Sequence, residues 1–155
     1  MFRLTSIGAA FRRKVLHLPN ESAEMSVGSK HVSHDSSMRR VLVVDDDQDV
    51  VQAVAFTLRL LGYEVASAGD GIEALDLLSH FWPDAAILDL CMPDLDGFEV
   101  ARRIRALPGG TELLLVAVSG LCDAEHRRRS TDAGFDHHLS KPANITEIAE
   151  LIATA

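Results

Sequence analysis

Cysteine is scarce in this chain, with only Cys91 and Cys122 among 155 residues. Two thiols cannot build a disulfide framework, and neither stands with histidines at a zinc-ligand spacing, so both are read as reduced thiols. Long apolar runs are also missing. No stretch approaches the roughly eighteen uninterrupted apolar residues that a membrane span needs, and the N-terminus lacks a continuous apolar segment ending in a small-residue cleavage site. A cytoplasmic protein without a transmembrane segment is the corresponding expectation. Positive charge is in short supply where the chain is most regular: residues 38–155 hold ten Lys/Arg against twenty Asp/Glu and sum to −10, whereas residues 1–37 sum to +2. A domain so acidic repels a phosphate backbone, which argues against direct nucleic acid binding.

What remains is 47% hydrophobic and 25% charged, a length and balance that suit one globular domain with a real core. Residues 19–37 are rich in Ser, His, Gly and acids, show almost no apolar periodicity, and read as a linker. Before them Leu4, Ile7, Phe11, Val15 and Leu18 recur three or four apart beside Arg12, Arg13 and Lys14. That pattern fits either a short basic amphipathic helix or an unstructured leader. Residues 1–37 are therefore set apart from a domain spanning 38–155, with Met38 just ahead of its first strand.

From Arg40 the pattern is regular. Apolar runs of strand length at 41–44, 63–68, 85–88, 113–118 and 135–139 alternate with helical stripes: Val51, Val54, Leu58 and Leu61, closed by Gly62; Ile72, Leu75 and Leu78; Phe98, Ala101, Ile104 and Leu107; a helix over about 123–133; and Ile145, Ile148, Leu151 and Ile152. Strands apolar on both faces, each followed by a helix, imply an α/β fold with a parallel sheet between helical layers. Ligands of such sheets bind at the carboxyl ends of the strands. There the chain places Asp45, Asp46 and Asp47, then Asp89, Ser119 and Lys141.

Carboxylates converging in one crevice repel each other unless a cation offsets them. Oxygen donors without histidine or thiolate point to Mg²⁺, typically held by one or two carboxylates plus a phosphate oxygen. Asp89, leaving an apolar strand, suits a nucleophile that forms an aspartyl phosphate, with Asp45 and Asp46 holding the metal. Phosphoryl transfer then needs donors aimed at the phosphoryl oxygens, which Lys141 and Ser119 supply. Any one of these residues alone would be an ordinary cap or surface group; four groups at successive strand ends are not. An alternative is a phosphohydrolase of the haloacid dehalogenase type with Asp45 as nucleophile and Asp47 completing a DxD pair. It leaves Asp89 unexplained, and Asp49 stands where that family needs Thr or Val.

With VLVVDDD at 41–47, ILDLCMPDLDGFEV at 87–100, VAVSG at 116–120 and the pair Lys141 and Pro142, residues 39–155 closely resemble the receiver domain of two-component response regulators. The resemblance implies a flavodoxin-like sheet of order 2-1-3-4-5, with Asp89 as phosphoacceptor and Asp45 and Asp46 as the acidic pair for Mg²⁺. It further implies the Cys91 backbone carbonyl as a metal ligand, Ser119 as the switch hydroxyl, Lys141 as the conserved lysine and a cis bond before Pro142. Asp47 falls outside the metal pair and suits a helix cap. By the same resemblance, Cys91 and Leu121 look like positions that tune hydrolysis of the phosphoryl group in this family. His138 stands where many receivers carry a rotating Tyr or Phe switch. The stretch AGFDHHLSKP at 133–142 is similar to receivers of hybrid histidine kinases, which implies a sensor histidine kinase or a histidine phosphotransfer domain as donor. Only thirteen residues follow Pro142, so the expected output is contact with a downstream protein; neither that protein nor the oligomeric state is specified by the sequence.

Overall fold

A computed structural model of the chain describes residues 39–120 and 123–155. The leader and linker assigned to residues 1–37 lie outside the described residues, as do Leu121 and Cys122. The described elements alternate as expected: β1 (Arg40–Val44), α1 (Gln48–Leu60), β2 (Glu64–Ala68), α2 (Gly71–Leu77), β3 (Ala85–Asp89), α3 (Gly97–Ala106), β4 (Leu114–Ser119), α4 (Ala124–Ala133), β5 (His137–Ser140) and α5 (Ile145–Thr154). The strands form one parallel sheet of order β2-β1-β3-β4-β5.

The two-residue period of a strand sorts the apolar side chains into two cores. Val41 and Val43 point to one face, where Ala55 and Leu58 of α1 and Ile148 and Ile152 of α5 cover them. Leu42 and Val44 point to the other, under Ala74 of α2, Phe98, Ala101 and Ile104 of α3, and Ala133 of α4. Both faces are sealed, so the three central strands carry polar side chains only at their ends.

Each helix starts on a side chain that satisfies its unpaired amides. Asp47, Asp70, Asp96, Asp123 and Asn144 each accept from one or two backbone N–H groups of the first turn. Asp47 is thus the cap that its position suggested. Three strands begin later than the apolar runs implied, and β2 and β5 do so for a shared reason. Gly62 and Gly134 adopt positive φ (92° and 98°), and the next amides, of Tyr63 and Phe135, donate back to Leu58 and Ser130. These are Schellman endings of α1 and α4, so the aromatics belong to helix termination rather than to the strands they precede.

At the amino end of β4 and β5, Arg105 of α3 replaces packing with hydrogen bonds. Its guanidinium donates to the carbonyls of Gly134 (2.8 Å), Leu113 (2.6 Å) and Gly110, and to Asp136 Oδ2 (2.7 Å). The same Asp136 oxygen accepts from the Leu115 amide. Arg105→Ala is expected to destabilise the domain by about 2–4 kcal/mol, because it strands several acceptors at once. Arg105→Lys should recover little of this, since a point charge cannot reproduce the fork. Denaturant unfolding of the three proteins checks this, and an Ala variant within about 0.5 kcal/mol of the parent, the range of an ordinary surface substitution, would contradict it.

Candidate functional site

Strand register builds the site. Val44 pairs with Leu88, so the residues that follow, Asp45 and Asp89, leave adjacent strands side by side. This lies between β1 and β3, where the chain passes from one half of the sheet to the other, the crevice that open α/β sheets offer to ligands. Asp89 pairs with Val118 and Ser119 with Ser140, which brings Ser119 and Lys141 to the same edge. The bond between Lys141 and Pro142 is cis.

Asp45 and Asp89 are both buried, at 5% and 4% exposure. Lys141 spans them, its Nζ 2.7 Å from Asp45 Oδ2 and 3.1 Å from Asp89 Oδ2. The other oxygens meet backbone amides: Asp45 Oδ1 accepts from the Asp47 amide (2.9 Å) and Asp89 Oδ1 from the Cys91 amide (3.2 Å). Asp46 is exposed, and one carboxylate oxygen each from Asp45, Asp46 and Asp89 lie within 4.8 Å of one another. Three hard oxygen donors carry three negative charges against the single ammonium. The residues present therefore fit a hard divalent cation, Mg²⁺ being the natural choice.

Ser119 is fully buried at the end of β4, and its carbonyl accepts the Lys141 amide (2.9 Å). His138, whose neighbour Leu139 joins the α1 and α5 core, is directed to α4, where its Nδ1 lies 2.8 Å from Ser130 Oγ. Ser130 is itself buried and donates to the His126 carbonyl. The sequence reading missed Ser130; its one signal is a serine at a core-facing position of an otherwise polar helix. It also missed a cavity of about 460 Å³ that Asp45, Asp89 and Lys141 line together with Val43, Ile87 and Val118. A nucleophilic role for Asp45 finds no support here. Asp47, the second acid that such chemistry requires, is spent on the Asp49 and Val50 amides (3.0 and 3.4 Å).

Burial opposes charge on Lys141, but hydrogen bonds to Asp45 and then Asp89, with their charges, outweigh it and hold its pKa above the ordinary lysine value. A cation whose pKa is raised by folding contributes stability that is complete below its unfolded pKa, about 10.4, and is lost as pH rises through the folded value. Lys141 is the sole lysine of residues 38–155. The parent should lose melting temperature more steeply above about pH 10 than Lys141→Met, which starts lower because its carboxylates have lost their cation. Thermal melts from neutral to strongly alkaline pH decide the matter: parallel alkaline slopes would refute it.

The comparisons with known proteins agree with this geometry. Residues 41–153 match the response regulator receiver domain family. Response regulator MprA of Mycobacterium sp. (strain KMS) is 41% identical over 109 residues, 70% of this chain and 46% of the relative. MprA of Mycobacterium tuberculosis (strain ATCC 25177 / H37Ra) is 40% identical over the same length. The chain spans about half the length of these curated relatives. Among solved structures, the chemotaxis protein CheY4 of Vibrio cholerae superposes with a TM-score of 0.72 at 30% identity, covering 76% of this chain and 98% of that one. The receiver domain of a sensor histidine kinase from Pseudomonas aeruginosa PAO1, solved with a magnesium ion coordinated in its active-site cleft, gives 0.69 at 28% identity, covering 76% and 97%. Among the described residues no helix is long and apolar enough to cross a membrane. With sheet order, acidic crevice and bridging lysine all in place, the chain belongs to the response regulator receiver domain family.

Proposed function

We propose that Asp89 accepts a phosphoryl group from a phosphohistidine donor and that the domain signals the event by protein contact. The observation that carries this is the pairing of Asp89 with Lys141 inside a cluster of three carboxylates. An Asp89 oxygen attacks phosphorus, the P–N bond to the donor imidazole breaks, and the nitrogen leaves with the bonding pair. Asp45, Asp46, Asp89 and the Cys91 carbonyl would hold Mg²⁺, which neutralises phosphoryl charge when bound. Lys141 bridges Asp45 and Asp89 before transfer and is placed to meet the new phosphoryl oxygens after it. Ser119 at the end of β4 is the hydroxyl assigned to read them.

The domain is a phosphoacceptor whose catalysis acts on itself alone, in the cytoplasm. Its donor is a sensor histidine kinase or a histidine phosphotransfer domain, a partner class supported by the similarity to a receiver from a sensor histidine kinase. Readout passes through the α4 and β5 face, where His138 meets Ser130, and a downstream protein distinguishes the two states of that face. Incubation with a small acyl phosphate and Mg²⁺ should give acid-stable, base-labile labelling of the parent, none of Asp89→Asn, and none after chelation of divalent ions. Undiminished labelling of Asp89→Asn would remove Asp89 as the acceptor.

A further inference from the structure

Side chains two residues apart on a strand share a face, so Asp45 stands on the same side of the sheet as Val43, and Asp89 on the same side as Ile87. Val118 pairs with Asp89 and belongs with Val43 and Ile87 to the apolar cluster that α1 and α5 cover. The cavity of about 460 Å³ lies in this layer. Val43, Ile87 and Val118 line it from the sheet, Val54 from α1 and Ile148 from α5, together with Asp45, Asp89 and Lys141. Close packing ordinarily leaves few voids larger than a water molecule inside a domain. Here Ala53 of α1 and Ala143, just ahead of α5, also face the space, and their short side chains leave it open.

A hydrated dication draws on the carboxylates and has no use for aliphatic walls. A cavity of this volume, mostly apolar with a few charged groups on one side, has the character of a small-molecule site. Its charges select the head group of the ligand. Three carboxylates against one ammonium leave a negative surplus, which repels an organic anion and which a neutral head leaves standing. We propose that the cavity binds a small organic cation, a primary ammonium on an aliphatic body, with the ammonium against Asp45 and Asp89 and the body against Val43, Ile87 and Val118. The same carboxylates serve Mg²⁺, so the two cations exclude each other and the amine antagonises phosphoryl acceptance. This rests on the reading of Asp45 and Asp89 as cation ligands and adds an organic ligand that restrains the site.

Butylamine, hexylamine and octylamine, all protonated at neutral pH, are the probes, titrated into the full chain and followed by methyl and amide chemical shifts. Methyl signals of Val118 and Ile148 should move, while those of Ile104, in the core on the other side of the sheet, should not. Affinity should rise with chain length, by roughly three- to fourfold for each methylene that becomes buried. Hexanol and hexanoate should bind about tenfold more weakly than hexylamine or worse, since neither offsets the carboxylates. Mg²⁺ should raise the apparent hexylamine dissociation constant in proportion to its concentration, and hexylamine should slow acyl-phosphate labelling at limiting but not at saturating Mg²⁺. Ala143→Leu fills the cavity and keeps every carboxylate, so it should weaken hexylamine roughly tenfold and leave the Mg²⁺ constant within about twofold of the parent. The chain-length series in the unmodified protein decides the matter even where that variant folds poorly. Affinity independent of chain length, hexanol binding as well as hexylamine, simultaneous binding of amine and Mg²⁺, or equal weakening of both cations by Ala143→Leu would each overturn the assignment. Failure of the underlying reading is separable, because it would show in the amine-free protein as an Mg²⁺ titration that leaves the Asp45 and Asp89 signals unmoved.

Discussion

Two buried carboxylates share one ammonium, and most of the domain's design follows from that. Asp45 and Asp89 lie side by side because β1 and β3 are parallel neighbours in register. Burying both anions would be prohibitive without an offset, and Lys141, 96 residues beyond Asp45, supplies one positive charge for two negatives. The offset is incomplete by construction. With Asp46 at the rim the cluster keeps a surplus of negative charge, which a hard dication would relieve and, on the proposed reading, must be offset before a phosphoryl group can approach. A fully neutralised pair would have no such use for a dication.

The sheet makes this charge arrangement durable. With α1 and α5 sealing one face and α2, α3 and α4 the other, the side chains of β1, β3 and β4 are held by packing on both sides. The carboxyl ends of the strands are left as the place where polar groups can gather without breaking the core. The backbone then finishes the job locally: the Asp47 amide fixes one oxygen of Asp45 and the Cys91 amide one oxygen of Asp89, so Lys141 meets oxygens whose orientation is already set. Asp47 does two things at once, since its carboxylate caps α1 while its amide holds Asp45.

The strand ends were legible in the sequence because the site residues follow closely on apolar runs, and a parallel sheet converts that linear position into proximity. The sheet order and the switch roles assigned to Ser119 and His138 came from family resemblance, since spacing alone does not order strands. Where the reading erred, the cause was local chemistry that looks alike in one dimension. Tyr63 and Phe135 follow a glycine and precede a strand, and their aromatic character suits strand entry, yet their amides close α1 and α4. Ser130 stayed hidden in a helix of charged residues because its partner is eight positions away on β5.

β5 shows how the site can reach the surface. Three residues of β5 and its end serve three environments: His138 meets α4, Leu139 joins the core under α1 and α5, and just past the strand Lys141 enters the acidic cluster. A change in the partners of Lys141 therefore acts at the end of a strand that also touches α4 through His138. The nature of that contact is constrained by proton count. The Ser130 hydroxyl has a single proton; when that proton is given to the His126 carbonyl, the Ser130 oxygen accepts from His138 Nδ1. That bond is directional in a way an aromatic ring packed against a helix is not. On the proposed reading, an imidazole at this position reports phosphorylation by keeping or breaking one hydrogen bond to α4, where a phenyl or phenol ring would report by sliding between pockets.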